Sequence, residues 1–103
     1  LGVVTPKMFR YEVTRGARMI DDDLDIVQNG DICYLIDGRY GRIWAGLSSR
    51  YDSGTAPEGW FFLRETVENR VLNKELVAAG LVELGNRVEV GRRTVQLARV
   101  KRG

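Results

Sequence analysis

Asn29-Gly30-Asp31-Ile32-Cys33-Tyr34-Leu35-Ile36-Asp37-Gly38-Arg39-Tyr40-Gly41-Arg42-Ile43-Trp44 is the stretch that decides the fold of this chain. Two runs rich in β-branched and aromatic residues flank the pair Asp37-Gly38. Asp-Gly between such runs predicts a tight hairpin whose two central residues take positive φ. The second strand is expected over residues 39–47, and its alternation puts Tyr40, Arg42 and Trp44 on one face. That face is either part of a core or the best candidate for a binding surface.

Upstream, residues 8–14 alternate and read as a first strand, closed by Arg15-Gly16. Asp21-Asp22-Asp23 is expected to separate it from a short strand starting at Leu24, and residues 28–31 read as a turn. Downstream, residues 48–59 form the longest irregular stretch, a length at which loops are often functional. Trp60-Phe61-Phe62-Leu63 follows as an apolar strand. Thr66 is placed to cap a helix over residues 67–79, and Gly80 to end it in the left-handed conformation with Leu81 making the accompanying apolar contact. Val71, Leu72, Leu76 and Ala79 fall in one arc of that helix, while Glu68, Asn69, Arg70 and Lys74 occupy the remainder. Two last strands, 87–90 and 94–100, flank Gly91-Arg92-Arg93. The predicted class is α+β: a strongly curved antiparallel sheet or partial β-barrel, with one main helix near residues 67–79.

A chain of 103 residues with 44% hydrophobic and 29% charged residues has the composition of a single globular domain, 1–103. Residues 1–6 read as a disordered arm or a cloning remnant. No apolar run approaches the roughly 20 residues that span a bilayer, so no membrane partner is expected. The one cysteine, Cys33, excludes an internal disulfide. That fits a reducing, cytoplasmic setting.

The chain contains no histidine. Ser-His and Cys-His nucleophilic pairs are thereby excluded, as are ordinary zinc sites, which draw on Cys and His. No phosphate-binding P-loop or dinucleotide fingerprint is present, because Gly38-x-x-Gly41 precedes a strand and not a helix. Asp21, Asp23 and Asp25 have the spacing that opens a calcium loop, but Ile26 and Ile32 stand where that loop needs Gly and Glu. Cys33, mid-strand with no base beside it, reads as a buried, inert thiol. No cofactor and no metal are expected, and binding is favoured over catalysis.

The net charge of +2 conceals an asymmetry. Residues 87–103 carry six Lys/Arg (Arg87, Arg92, Arg93, Arg99, Lys101 and Arg102) against one Asp/Glu, while the rest carries ten against thirteen. Such a hairpin could meet phosphate, and equally could be a solvated edge whose arginines discourage aggregation.

Gly30-Asp31-Ile32 with Tyr34, Gly38, Gly41 and Ile43 is similar to the opening hairpin of SH3-like barrels, including nucleic-acid-binding ones. This resemblance implies an SH3-like half-barrel. A second resemblance is to the staphylococcal-nuclease family, through Asn29-Gly30-Asp31, Ala56-Pro57-Glu58 and Leu72-Asn73-Lys74-Glu75-Leu76-Val77-Ala78-Ala79-Gly80-Leu81. It implies a barrel with a calcium-dependent phosphodiesterase site using Asp31, Asp52 and Glu58, with Arg42 on phosphate. Here Gly54-Thr55 replaces the Ile-Asp that precedes Ala-Pro-Glu in that family. The long segment expected between that corner and the last helix is missing.

The leading expectation is a binding or interaction module that self-associates and offers a small ligand or protein a pocket at the sheet face. Its candidate residues are Tyr40, Arg42, Trp44, Tyr51 and Trp60. Core packing is the competing use of Trp44 and Trp60, whereas Tyr51, in the long loop, is expected to stay out of the core. The alternatives are a nucleic-acid-binding protein using Arg87, Arg92, Arg93, Arg99, Lys101 and Arg102, and the carboxylate-metal nuclease.

Overall fold

Two four-stranded antiparallel sheets and one helix make up the computed structural model, which describes residues 7–15, 18–37 and 41–101, with side chains from Leu24 onward. The first sheet runs in chain order: β1 (Lys7–Arg15), β2 (Arg18–Asn29), β3 (Ile32–Asp37) and β4 (Ile43–Gly46). The second contains β5 (Ser48–Ser49), β6 (Phe61–Leu63), β7 (Val82–Val90) and β8 (Arg93–Val100), in the order β5-β6-β8-β7. Between β6 and β7 lie a single 3-10 turn, Val67–Asn69, and the helix α1, Arg70–Ala78. The class is α+β. The terminal arm 1–6 lies outside the described residues.

The acidic run does not break a strand. Asp21, Asp22 and Asp23 lie within β2, opposite Glu12, Tyr11 and Arg10 of β1. Strand propensities differ by only about 1 kcal/mol, too little to interrupt a ladder that continues from Lys7↔Ile26 to Arg15↔Arg18.

The β3–β4 hairpin forms, but not around a two-residue turn at 37–38. The Asp37 N–H donates to the Arg42 carbonyl at 2.8 Å, and the Gly41 N–H donates to the Asp37 carbonyl at 2.7 Å. The connection is therefore residues 38–41, and among the described residues Gly41, φ +67°, is left-handed there, whereas Asp37 is not. A bulge explains the longer loop. Leu35 pairs with Ala45 and Ile36 with Ile43, so Trp44 is an extra residue that breaks the expected alternation. Arg42 precedes the strand, and Tyr40 lies outside the described residues.

The tight turns are elsewhere. Gly30-Asp31 joins Asn29 to its partner Ile32, with Gly30 at φ +62° and Asp31 at negative φ. Gly91-Arg92 repeats this between Val90 and Arg93, with Gly91 at φ +61°. Positive φ at the first central residue alone is the II′ pattern, and it demands glycine there.

Leu24, Ile26, Cys33 and Leu35 of the first sheet pack with Phe61, Leu63, Val82, Ala98 and Val100 of the second and with Leu72 and Leu76 of α1. Both sheets thus share one core. Their ends are stitched by Gln28, only 3% exposed. Its Nε2 donates to the Gly30 and Gly59 carbonyls, each at 3.0 Å, and its Oε1 accepts from the Val100 N–H at 2.9 Å. The carboxamide stands in for a missing strand beside β8.

Residues 48–59 are not simply irregular. They contain β5 and a bridge between Tyr51 and Gly54, and they close with the Trp60 N–H donating to the Pro57 carbonyl at 3.0 Å. The stretch folds over the outer face of the second sheet. There Tyr51, Ala56 and Trp60 pack on Phe62, Val90, Val95 and Leu97. All of β6 is consequently buried. Trp60 lies against Gly85, where an added Cβ would meet its ring at 2.5 Å.

The helix ends as its sequence predicts. The Leu81 N–H donates to the Leu76 carbonyl and the Gly80 N–H to the Val77 carbonyl, each at 3.0 Å, with Gly80 at φ +74°. These are the two bonds of a Schellman ending, and Leu81 packs on the core. Its start differs. Thr66 is extended and makes no side-chain cap; its hydroxyl donates to Asn69 Oδ1 at 3.3 Å. The buried stripe is Leu72, Asn73 and Leu76, while Val71 and Ala79 are exposed. Asn69 is buried, because its Nδ2 donates to the Gly46 carbonyl at 2.8 Å and ties the helix start to β4. Among the described residues no helix is long and apolar enough to cross a membrane.

Candidate functional site

The structure distributes the four described candidates, Arg42, Trp44, Tyr51 and Trp60, while Tyr40 lies outside the described residues. Trp44 packs against the shared core, and Tyr51 and Trp60 against the cluster on the opposite face of the second sheet. Arg42 is exposed beside the β3–β4 connection. Trp60 is clamped between Gly85 and Arg99, whose guanidinium carbon lies 4.3 Å from the ring centroid. Tyr51 meets Phe62 at 5.6 Å between centroids, and the Arg93 guanidinium covers its ring, also at 5.6 Å.

The basic hairpin is partly neutralised from within. Arg99 Nε donates to Glu83 Oε2 at 3.0 Å. That bond holds the Glu83 carboxyl below its usual value. Arg87 donates to both carboxylate oxygens of Glu65, the shorter contact being 3.1 Å, and to the Thr94 carbonyl. Arg92, Arg93 and Lys101 are exposed. Arg102 lies outside the described residues.

One member of each candidate set meets the other. Tyr51, from the long loop, and Arg93, from the hairpin, line one recess of about 660 Å³. Three segments build it: β5 and the two residues after it, the three residues after β6, and the start of β8. They bring Arg50, Arg64 and Arg93 into one wall, with the hydroxyls of Ser49, Thr66 and Thr94 beside them. β5 is held because Ser48 Oγ accepts from the Cys33 N–H at 2.9 Å, and the β6 exit because the Arg64 N–H donates to the Leu47 carbonyl at 2.8 Å.

The recess is cationic. Among the described residues no ion pair engages Arg50, Arg64 or Arg93. The one acid in the wall, Glu65, is held by Arg87. Glu68, nearby, has its carboxyl held below the usual value by its own backbone N–H first, then by the Thr66 hydroxyl, with Arg64 acting only at a distance. Each guanidinium group presents a fork of donors suited to phosphate or carboxylate oxygens.

In the sequence Arg50 stands out only as an arginine beside the aromatic Tyr51, and Arg64, between Leu63 and Glu65, carries no signal. Burial pushes the Cys33 thiol well up, so it is an inert core group. Among the described residues no three carboxylate or thiol side chains group as a metal site, and Asp31, Asp52 and Glu58 are not brought together as one.

Comparison with protein-family models, with curated proteins and with solved structures finds no match.

Proposed function

We propose that this protein is a small binding module that takes a phosphate-bearing ligand in the recess between β5, the β6 exit and the start of β8. The observation carrying this reading is the convergence of Arg50, Arg64 and Arg93, none of them ion-paired among the described residues, in one recess. Its volume, about 660 Å³, exceeds a single phosphate and suits a phosphorylated small molecule or a short stretch of nucleic-acid backbone. Tyr51 holds the Arg93 guanidinium over its ring and so positions that group at the recess. In this reading the two sheets act as one strongly curved, half-barrel-like support for that wall. Binding, rather than catalysis, is the activity.

Titration calorimetry with pyrophosphate and with a single-stranded oligothymidylate tests both sources of phosphate. Saturable binding is expected, weakened roughly tenfold or more by Arg50→Gln or Arg93→Gln, since hydrogen bonds to charged groups contribute about 1.5–3 kcal/mol. A steep loss of oligonucleotide affinity with salt would assign the backbone as the source; tighter binding of the small phosphate would assign the other. No heat from either ligand at low salt refutes the proposal.

We also propose self-association through the outer face of the first sheet. There Ile43, 69% exposed, pairs with Ile36, and Ile32 and Tyr34 continue the strip along β3. Light scattering at tens of micromolar, a working range for moderate interfaces, should find an oligomer that Ile43→Glu dissociates. A monomer in the wild type would end this part of the reading.

A further inference from the structure

We infer that the outer edge of β1 is a self-recognition surface: a second copy of this chain pairs its own β1 there, antiparallel, about a two-fold axis at Tyr11. β1 lies at the opposite edge of the first sheet from β4, which carries Ile43. The pairing therefore depends neither on the Ile43 interface nor on the arginine recess.

Among the described residues no strand pairs with the outer side of β1. Its ladder with β2 runs from Lys7↔Ile26 to Arg15↔Arg18 without a shift of register, and the strand contains no proline. Bulges and prolines are the devices that blunt a free edge, so this one is open to another strand. The β1–β2 hairpin also outruns its support. β3 pairs only with Leu24–Asn29, so Arg18–Asp23 and their partners Arg10–Arg15 continue as a ribbon of two strands. Two strands alone are marginal in water, and a second copy makes the ribbon four strands wide, in the order β2-β1-β1-β2.

The sequence of β1 is complementary to itself. Opposed residues of an antiparallel pair share a face, so a two-fold axis normal to the sheet passes between one residue and its own copy. With the axis at Tyr11 the whole of Lys7–Arg15 is paired. Arg10 then stands opposite Glu12 of the second copy, and Glu12 opposite its Arg10. The same register sets Phe9 opposite Val13 twice and Tyr11 opposite Tyr11, aromatic and β-branched pairs of the kind that stabilise sheets. By alternation these positions share the face of Leu24 and Ile26, the core side of the sheet. Like charges, Lys7 with Arg15, meet only at the two ends of the ladder. Moving the axis one residue either way opposes Arg10 to Arg10 or Glu12 to Glu12. Within one chain Glu12 stands opposite Asp21, a like-charge pair that costs stability. An Arg10 supplied by the second copy on the other side of Glu12 offsets that cost.

The test is light scattering of the full chain at tens of micromolar, in an Ile43→Glu background that removes the other interface; a dimer is expected there. Glu12→Arg and Arg10→Glu each oppose like charges at both central pairs, and each should weaken that dimer about tenfold or more. Glu12→Arg also turns the pair with Asp21 into an attraction, so the chain itself should unfold in urea no earlier than its parent. An equimolar mixture of the two variants restores both pairs and should form a heterodimer, read by native mass spectrometry. A monomer in the Ile43→Glu background overturns the inference, as does a dimer indifferent to both variants or a mixture without heterodimer. A wild type and an Ile43→Glu variant that are both dimers would end the Ile43 reading and support this one.

Discussion

Replacing Gln28 should destabilise the protein more than any other single polar substitution. Its carboxamide makes three hydrogen bonds, at 3.0, 3.0 and 2.9 Å, to three different segments, and it is 3% exposed. At about 1 kcal/mol each, these contribute roughly 3 kcal/mol. Truncation also strands the Val100 N–H, an orphan donor costing about 1–3 kcal/mol. The expected loss for Gln28→Ala is about 4–6 kcal/mol, a large share of the roughly 5–15 kcal/mol of a typical domain. Gln28→Met keeps the volume and removes the amide, so most of the loss should persist. Urea unfolding followed by tryptophan fluorescence reads this as a midpoint lowered by more than about 1 M at unchanged slope. Ser48→Ala, which removes one contact of 2.9 Å and one of 3.4 Å, should cost less, about 1–2 kcal/mol. A Gln28→Met variant within about 0.5 kcal/mol of wild type would refute the claim that this side chain joins the sheets.

Gly85→Ala should cost about 1–3 kcal/mol and red-shift tryptophan emission, because its Cβ would stand 2.5 Å from the Trp60 ring held by Arg99; unchanged emission and stability would count against that packing. Cys33, with its thiol pushed up by burial, should react with a thiol reagent at pH 8 only as fast as the protein opens, whereas prompt labelling of the native state would contradict its placement. Glu83 has its carboxyl held down by the Arg99 hydrogen bond, so its stabilising effect is full above the ordinary value of 4.5 and fades as pH falls through the lowered one. The stability difference between wild type and Glu83→Gln should therefore vanish in acid, and a difference that grew with acidification would reverse the assignment.

The parts of this fold legible in the sequence are those set by local chemistry. Gly80 and Leu81 announce the helix ending because a Schellman motif needs only neighbouring residues. The terminal hairpin is similarly visible, though β7 begins at Val82, earlier than its alternation suggests, because the bulge at Gly85-Asn86 shifts the phase. Asp37-Gly38 misled for the same kind of reason: the bulge at Trp44 lengthens the loop, and Gly30-Asp31 takes the tight turn. Gln28 did leave a trace, since it shares the inward parity of Leu24 and Ile26, where a polar residue needs partners. Its partners lie far along the chain, and no local pattern names them. The recess is the least legible feature. Arg50 follows β5, Arg64 follows β6 and Arg93 opens β8, and only the β5-β6-β8 order brings them together.

Amide chemical-shift mapping during a pyrophosphate titration probes that convergence most directly. The largest changes should fall together on Ser49, Arg50, Arg64, Thr66, Arg93 and Thr94, saturating along one curve. Changes confined to Arg99 and Lys101, or none at millimolar pyrophosphate, would contradict it.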